Sequence, residues 1–159
     1  MPLESAQNEY KMIVEYGDKY SEAKFYIDDK RVFGFRFETY DRFGKRSDFA
    51  KELMEQVKDV GVDTINYVHL QRAEVHGDII LITTKSFSDF KRLVVAEVLL
   101  ASLPNNGRIL SAFILGARMP QKEVDIWYDF LISAYNSQDR ERRINSTAHA
   151  LRVFYGFSR

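Results

Sequence analysis

An alternation of apolar and polar residues near the start of the chain limits the choice of folds more than any other feature. Phe33, Phe35 and Phe37 alternate with small or charged residues, which is the two-residue period of a strand with one buried face. Residues 23–27 alternate in the same way, and the polar residues 28–31 between the two segments predict a turn. The sequence therefore predicts an antiparallel hairpin within residues 19–45.

Three segments have the spacing of helices. Residues 47–60 carry an apolar stripe that ends at Gly61, and Pro120 is well placed as the first residue of a second helix. The apolar stripe of that second helix consists of Val124, Trp127, Tyr128, Leu131 and Tyr135. A last short helix is expected to begin near Ser146 and to end at Gly156.

Between the hairpin and the second helix, the sequence predicts a strand within residues 64–75, a turn at Gly77-Asp78 and a buried strand over residues 79–82. No repeat or linker divides the chain, so one domain is expected, with residues 1–18 frayed. The predicted fold is α+β, an antiparallel sheet packed on a long amphipathic helix with further short helices.

Residues 88–103 fit two structures equally well. Ser88 and Asp89 suit a helix start, and Phe90, Val94 and Val98 would then share a face. The valines suit a strand as well, which a turn at residues 104–107 would join to residues 108–115.

The composition excludes several chemistries. The chain has no cysteine, so it has no disulfide, thiolate zinc site or cysteine nucleophile. Neither a phosphate-binding glycine loop nor a serine-hydrolase elbow is present. His69, His76 and His149 are scattered and do not form the set of three or four ligands that a metal site needs, so no metal site and no cofactor are predicted. No apolar run approaches the ~20 residues of a membrane span, and residues 1–9 have neither the basic start nor the apolar run of a secretory signal, so an intracellular protein without a membrane partner is expected.

One acidic group has the spacing of a metal-dependent nuclease. Asp18 followed by Asp28 and Lys30 imitates the order in which such enzymes place two carboxylates and a lysine. The same residues are equally typical of a solvated hairpin turn, and that interpretation is preferred.

Basic residues form two clusters that suit contacts with phosphate groups. The clusters are Arg42, Lys45 and Arg46, and then Arg140, Arg142 and Arg143. Acidic residues interleave with both, and the formal net charge of the chain is +0, which disfavours nucleic acid as the main ligand. RNA binding remains an alternative activity.

Aromatic residues on the second helix are the candidates for a protein interface. Trp127, Tyr128 and Tyr135 belong to its apolar stripe, and large aromatics of this kind often anchor partners. Packing within the core accounts for them more simply.

From residue 65 onward the order of features resembles the effector domain of the influenza virus non-structural protein one. The resemblance is carried by short segments along this half of the chain: Gly77 to Leu81, Phe87-Ser88, Val98 to Leu100, Asn105 to Leu110, Glu123 to Tyr135, Arg143-Ile144 and Thr147 to Phe154. Residues 62–156 would then be an effector-like core, with residues 88–103 mostly strand, a strand at 143–144 and a short helix after it. Ser137 stands where that family has a tryptophan used in self-association.

The resemblance implies a viral accessory protein, not an enzyme, that binds host factors and antagonises antiviral interferon signalling, in the cytoplasm or nucleus of a host cell. It also implies a homodimer. Two other classes are kept as alternatives, a nucleic-acid-binding protein or metal nuclease and a viral or phage assembly subunit.

Overall fold

The computed structural model describes residues 8–38, 70–101 and 119–155, and these form a five-stranded sheet and three helices. The strands are β1 (Tyr10–Glu15), β2 (Tyr20–Ile27), β3 (Lys30–Glu38), β4 (Leu70–His76) and β5 (Ile79–Thr84). The helices are α1 (Phe87–Ala101), α2 (Gln121–Tyr135) and α3 (Arg140–Phe154). The predicted α+β class is confirmed. The helix predicted at 47–60, the first cluster of basic residues, His69 and the strand predicted at 108–115 lie outside the described residues.

β1 lies at the centre of the sheet. The strand order is β3-β2-β1-β5-β4, and every neighbouring pair is antiparallel. Tyr10, Met12 and Val14 are buried on the face that the helices cover. The expectation that residues 1–18 are frayed is therefore wrong for residues 10–15, because their alternate side chains fill the core between β2 and β5.

The first hairpin forms as predicted, with a tighter turn. Asp28 and Asp29 have positive φ angles of 50° and 64°, which the short polar side chain of aspartate tolerates, while Lys30 and Arg31 belong to β3. The backbone N–H of Glu9 donates to Asp28 Oδ1 at 2.7 Å, and the Asp28 N–H donates to the Glu9 carbonyl at 2.9 Å. These bonds hold the turn against the start of β1.

The second hairpin also forms as predicted. Gly77 has a φ of 63° in the turn between β4 and β5, a conformation that favours glycine. Ile80 and Ile82 of β5 point to the same covered face as Met12 and Val14, with which they pair.

Residues 87–101 form a helix, so the strand implied by the resemblance is wrong. The Ser86 hydroxyl accepts a hydrogen bond from the Asp89 N–H at 3.1 Å and caps the helix, two residues before the predicted cap at Ser88. The helix is buried from residue 93 to residue 99, because it lies between the sheet and the other two helices. Burial on all sides removes the periodicity that distinguishes a helix from a strand.

α3 begins six residues before the predicted start at Ser146, and it replaces the strand that the resemblance implied at residues 143–144. Ile144, Ala148 and Leu151 are its buried residues, at spacings of four and three. Ile144 thus belongs to the helical stripe, and its burial stabilises the first turns.

Aromatic rings join the sheet to the helices. Phe25 of β2 is fully buried, with ring centroids 5.7 Å from Phe33 and 6.0 Å from Phe90 of α1. Tyr128 of α2 in turn lies 6.4 Å from Phe90. One core cluster therefore includes residues from β1, β2, β3, β5 and all three helices.

Phe25→Ala is expected to lower the free energy of unfolding by about 3–5 kcal/mol, since it empties a ring-sized volume at the centre of this core. Phe130→Ala, the same change at a residue that is 57% exposed, should cost about 1 kcal/mol or less. Urea denaturation followed by circular dichroism measures both, and equal losses would contradict the assigned core.

Glu97 is an acidic residue of α1 inside this core. Its side chain is buried among apolar neighbours, and this burial raises the pKa of the carboxyl from 4.5 to about 7. Burial also raises the pKa of the Tyr16 hydroxyl well above its usual value, and the nearby Glu97 adds to the effect. The folded chain therefore favours the neutral form of Glu97.

The free energy of unfolding is expected to fall as the pH rises from about 5 to 8. Between pH 4.5 and 7 the folded state binds more protons at Glu97 than the unfolded state does. The stabilisation of the folded state by protonated Glu97 is therefore complete below pH 4.5 and is lost as the pH rises through about 7. The loss is on the order of 3 kcal/mol. Glu97→Gln should flatten the pH dependence, whereas Glu141→Gln, at an exposed position, should leave it unchanged. Urea titrations at about pH 5 and 8 measure the difference in the free energy of unfolding. If this free energy changes with pH as much in Glu97→Gln as in the unaltered chain, Glu97 is not the group responsible.

Candidate protein-binding surface

Four aromatic residues meet on the outside of the α2–α3 pair. Trp127 and Phe130 lie on α2, Phe154 is the last residue of α3, and Tyr155 follows it. The Trp127 ring lies 6.1 Å from Phe130, 6.0 Å from Phe154 and 6.5 Å from Tyr155. Phe130 is 57% exposed and Phe154 is 65% exposed. These four residues are called the aromatic surface below.

The short connection between α2 and α3 brings these residues together. Only residues 136–139 separate the helices, so the helices pack antiparallel, and the end of α3 returns to the first half of α2. Trp127 and Phe130 are three residues apart and so lie on the same side of α2. The aromatic surface is thus a consequence of the helix pairing.

Hydrogen bonds fix the inner two rings. The Trp127 Nε1–H donates to the Tyr155 hydroxyl at 3.2 Å, and this hydroxyl donates to Glu123 Oε1 at 3.0 Å. Burial, and then the bond to Glu123, raise the pKa of the Tyr155 hydroxyl to about 12. Trp127 and Tyr155 are therefore held in place, while Phe130 and Phe154 face the solvent.

Further apolar groups are exposed on the same two helices. Ile126 of α2 is 49% exposed and Val153 of α3 is 55% exposed. Asp129 of α2 is exposed as well, but it lies about 100° around the helix axis from Phe130 and so outside the aromatic surface. A rigid apolar patch is suited to contact a protein partner.

The structure separates the three aromatic residues that the sequence indicated. Tyr128 is buried, with its ring 5.7 Å from Phe87, and burial raises the pKa of its hydroxyl to about 12. Tyr135 is half-buried, with its ring 5.5 Å from Phe33. Trp127 alone belongs to the aromatic surface.

The three arginines at the start of α3 lie at the other end of the helix pair. The Arg140 guanidinium stacks 3.9 Å from the Tyr135 ring and donates its Nε–H to the Tyr135 carbonyl. Arg142 pairs with Asp139 at 2.9 Å, and Arg143 is exposed. The three side chains therefore do not converge on one phosphate-sized site.

The structure does not bring the predicted nuclease group together. Asp18 precedes β2 and Asp28 follows it, so the length of an eight-residue strand, roughly 25 Å, separates the two carboxylates. Lys30 starts β3 beside Asp28. Within residues 8–38, 70–101 and 119–155, no three metal-binding side chains are placed to hold an ion, and His76 and His149 are both exposed.

Sequence reasoning did not single out Phe130, Phe154 and Tyr155. The position of Phe130 three residues after Trp127 was an available signal. The contribution of Phe154 and Tyr155 was not available, because it depends on how α3 packs on α2.

Comparison with protein-family models, with curated proteins and with solved structures found no match. Among the described residues, no helix has the length and apolar content needed to cross a membrane. The geometry of the chain is therefore the basis for assigning its function.

Tyr155→Phe is expected to lower the free energy of unfolding by about 0.5–1.5 kcal/mol, because it removes the hydroxyl that joins Trp127 to Glu123. Tyr135→Phe is the matched control, since the Tyr135 hydroxyl has no hydrogen bond to the described residues. It should change the free energy of unfolding by no more than roughly 0.5 kcal/mol, about the noise of such measurements. Trp127 is the only tryptophan, so its fluorescence during urea unfolding measures both variants. Equal effects would show that the network adds no stability.

Proposed function

We propose that the chain is a protein-binding module that contacts a partner through the aromatic surface. The observation that carries the proposal is the exposure of Phe130 and Phe154 beside a tryptophan whose position is fixed. Two exposed phenylalanines add nothing to the stability of the isolated fold, whereas large fixed rings supply most of the binding energy at protein interfaces.

The size of the surface supports a role as the centre of a larger interface. At the ~200 Å² that a phenylalanine can bury, the exposed parts of Phe130 and Phe154 amount to roughly 250 Å². Each side of a standard interface buries about 800 Å². The aromatic surface alone would bury too little for a stable interface, so the partner must also contact residues around it.

The margin of the surface indicates the chemistry of the partner. Glu123 lies at this margin, where its carboxylate accepts a hydrogen bond from the Tyr155 hydroxyl. A partner that places apolar side chains between Phe130 and Phe154, with a lysine or arginine near Glu123, would complement both the apolar centre and the acidic margin.

The class of partner is proposed from the resemblance. The resemblance to the influenza effector domain implies that the partner is a host factor of antiviral signalling. The residues that carry this resemblance include the turn at Gly77 and the segment that forms α2. The geometry of the aromatic surface supports protein binding and does not depend on that resemblance.

A photo-crosslinker at position 130 tests the proposal. Benzoylphenylalanine in place of Phe130, within the full chain in the cells that naturally make it, is expected to form an adduct with one other protein. Phe154→Ser should reduce the adduct at least fivefold, and Phe154→Leu should largely restore it, because the contact is apolar. With the purified partner, Phe130→Ala should weaken binding by about 2 kcal/mol, roughly 30-fold.

The control places the same crosslinker at Arg142, which is exposed near the other end of α3. An adduct that forms equally at both positions, or that persists unchanged in Phe154→Ser, would contradict the proposal. An adduct between two copies of the chain would assign the aromatic surface to self-association instead.

A further inference from the structure

A groove runs along the outer edge of β3, beside α3. It comprises two adjoining cavities of about 170 Å³ and about 430 Å³, and both are lined by Phe35, Arg36, Glu141, Ile144 and Asn145. We call this feature the β3–α3 groove. It runs along α3 from Arg140 to Arg152 and shares no residue with the aromatic surface.

Within the described residues, no further strand pairs with the edge of β3 along the groove. β3 is the last strand in the sheet order, and within the described residues it pairs with β2 alone. The groove is lined by Phe35 from the covered face of β3 and by Gly34 from the opposite face. Because residues from both faces line it, the groove follows the strand edge, where unpaired backbone groups lie.

Three arginine side chains of this groove are held in place by their neighbours. Arg36 stacks over the Tyr20 ring at 4.1 Å, and Arg140 stacks over the Tyr135 ring at 3.9 Å. The Arg31 guanidinium occupies the space that a side chain at Gly34 would fill, since a Cβ there would lie 2.8 Å from it. Stacking leaves the N–H groups at the edge of a guanidinium free to bind an anion.

The charges of the groove leave an excess of positive groups. Glu22 already pairs with Lys24 at 3.1 Å. Neither Arg31 nor Arg36 has a carboxylate within ion-pair distance among the described residues. Besides Glu22, the carboxylates that line the two cavities are Glu38 and Glu141, and the arginines are Arg31, Arg36, Arg140 and Arg152. Four arginines therefore face two further acids, which leaves a positive excess.

These observations identify one occupant. We propose that the β3–α3 groove binds an extended acidic segment of a partner protein, which adds to the sheet beside β3 and places carboxylates against Arg31, Arg36 and Arg140. The Arg31 guanidinium lies over Gly34, which is two residues from Arg36, about 7 Å along the strand, so the segment has acidic residues about two positions apart. Apolar residues between them would pack against Phe35 and Ile144.

A second copy of β3 does not fit the same edge. Each β3 strand carries Lys30, Arg31 and Arg36 against one acid, Glu38, so pairing two copies would bring two positively charged strands together, which is destabilising. The proposal concerns a surface separate from the aromatic surface, so it stands or fails independently of the proposed function.

Defined peptides test the proposal with the full chain. The probe is a fluorescein-labelled, end-blocked octapeptide of alternating glutamate and valine, and its fluorescence anisotropy measures binding. Arg36→Glu and Arg140→Glu are each expected to weaken binding at least tenfold. Amide chemical shifts of the labelled chain should change along residues 30–37, because the peptide backbone pairs with this edge.

The controls separate strand addition from attraction of charge. Arg142→Glu changes the same charge outside the groove, and Phe130→Ser alters only the aromatic surface, so both should bind the probe as the unaltered chain does. The same peptide with every second amide N-methylated should bind at least tenfold more weakly, and a lysine–valine octapeptide should not bind.

Three results would overturn the proposal. They are the absence of measurable binding of the acidic probe, equal losses in Arg142→Glu and Arg36→Glu, and equal binding of the N-methylated peptide. If a single-stranded oligothymidine binds with the same dependence on Arg36 and displaces the probe, the groove is a nucleic-acid site instead. Thermal unfolding of each variant confirms that it is folded before its binding is compared.

Discussion

The fold depends on the position of Phe90. Its ring lies 5.5 Å from Tyr10 of β1, 6.0 Å from Phe25 of β2 and 6.4 Å from Tyr128 of α2, and the side chain is fully buried. This one residue of α1 therefore contacts both the centre of the sheet and α2. α2 packs on α1, and α3 packs mainly on α2. The packing of α1 on the sheet therefore determines where both helices and the aromatic surface lie.

One buried face made the hairpin of β2 and β3 predictable from the sequence, whereas β1 was missed although Tyr10, Met12 and Val14 alternate along it. The hairpin of β2 and β3 was readable because Phe33, Phe35 and Phe37 face the core while their neighbours face outward. α1 was not readable, because neighbours on every side bury it and its apolar residues form a nearly continuous run. The resemblance also depends on short turns and apolar runs, which do not distinguish a buried helix from a strand. It therefore favoured a strand at residues 88–103.

The candidate site was predictable to the extent that it lies on one helix. The apolar stripe of α2 pointed to Trp127, but it could not tell which members of the stripe face solvent. Tyr128, one residue further on, is turned by about 100° into the core. Phe154 and Tyr155 enter the surface from another helix, and Asp18 and Asp28 fail to meet because a strand lies between them. Contacts of this kind depend on tertiary structure and have no local signature.

α3 sets the spatial relation between the aromatic surface and the β3–α3 groove. Arg140 is its first residue and Phe154 its last, which places them about 21 Å apart along the axis. Ile144, Ala148 and Leu151 fix the rotation of the helix between these ends, so both surfaces are formed before any partner arrives, and neither requires the ordering of a segment on binding. Because the two sites share no residue, a ligand in one leaves the residues of the other accessible. Two segments of one partner could therefore occupy both sites, and the second would bind at the high effective concentration that the link between them creates.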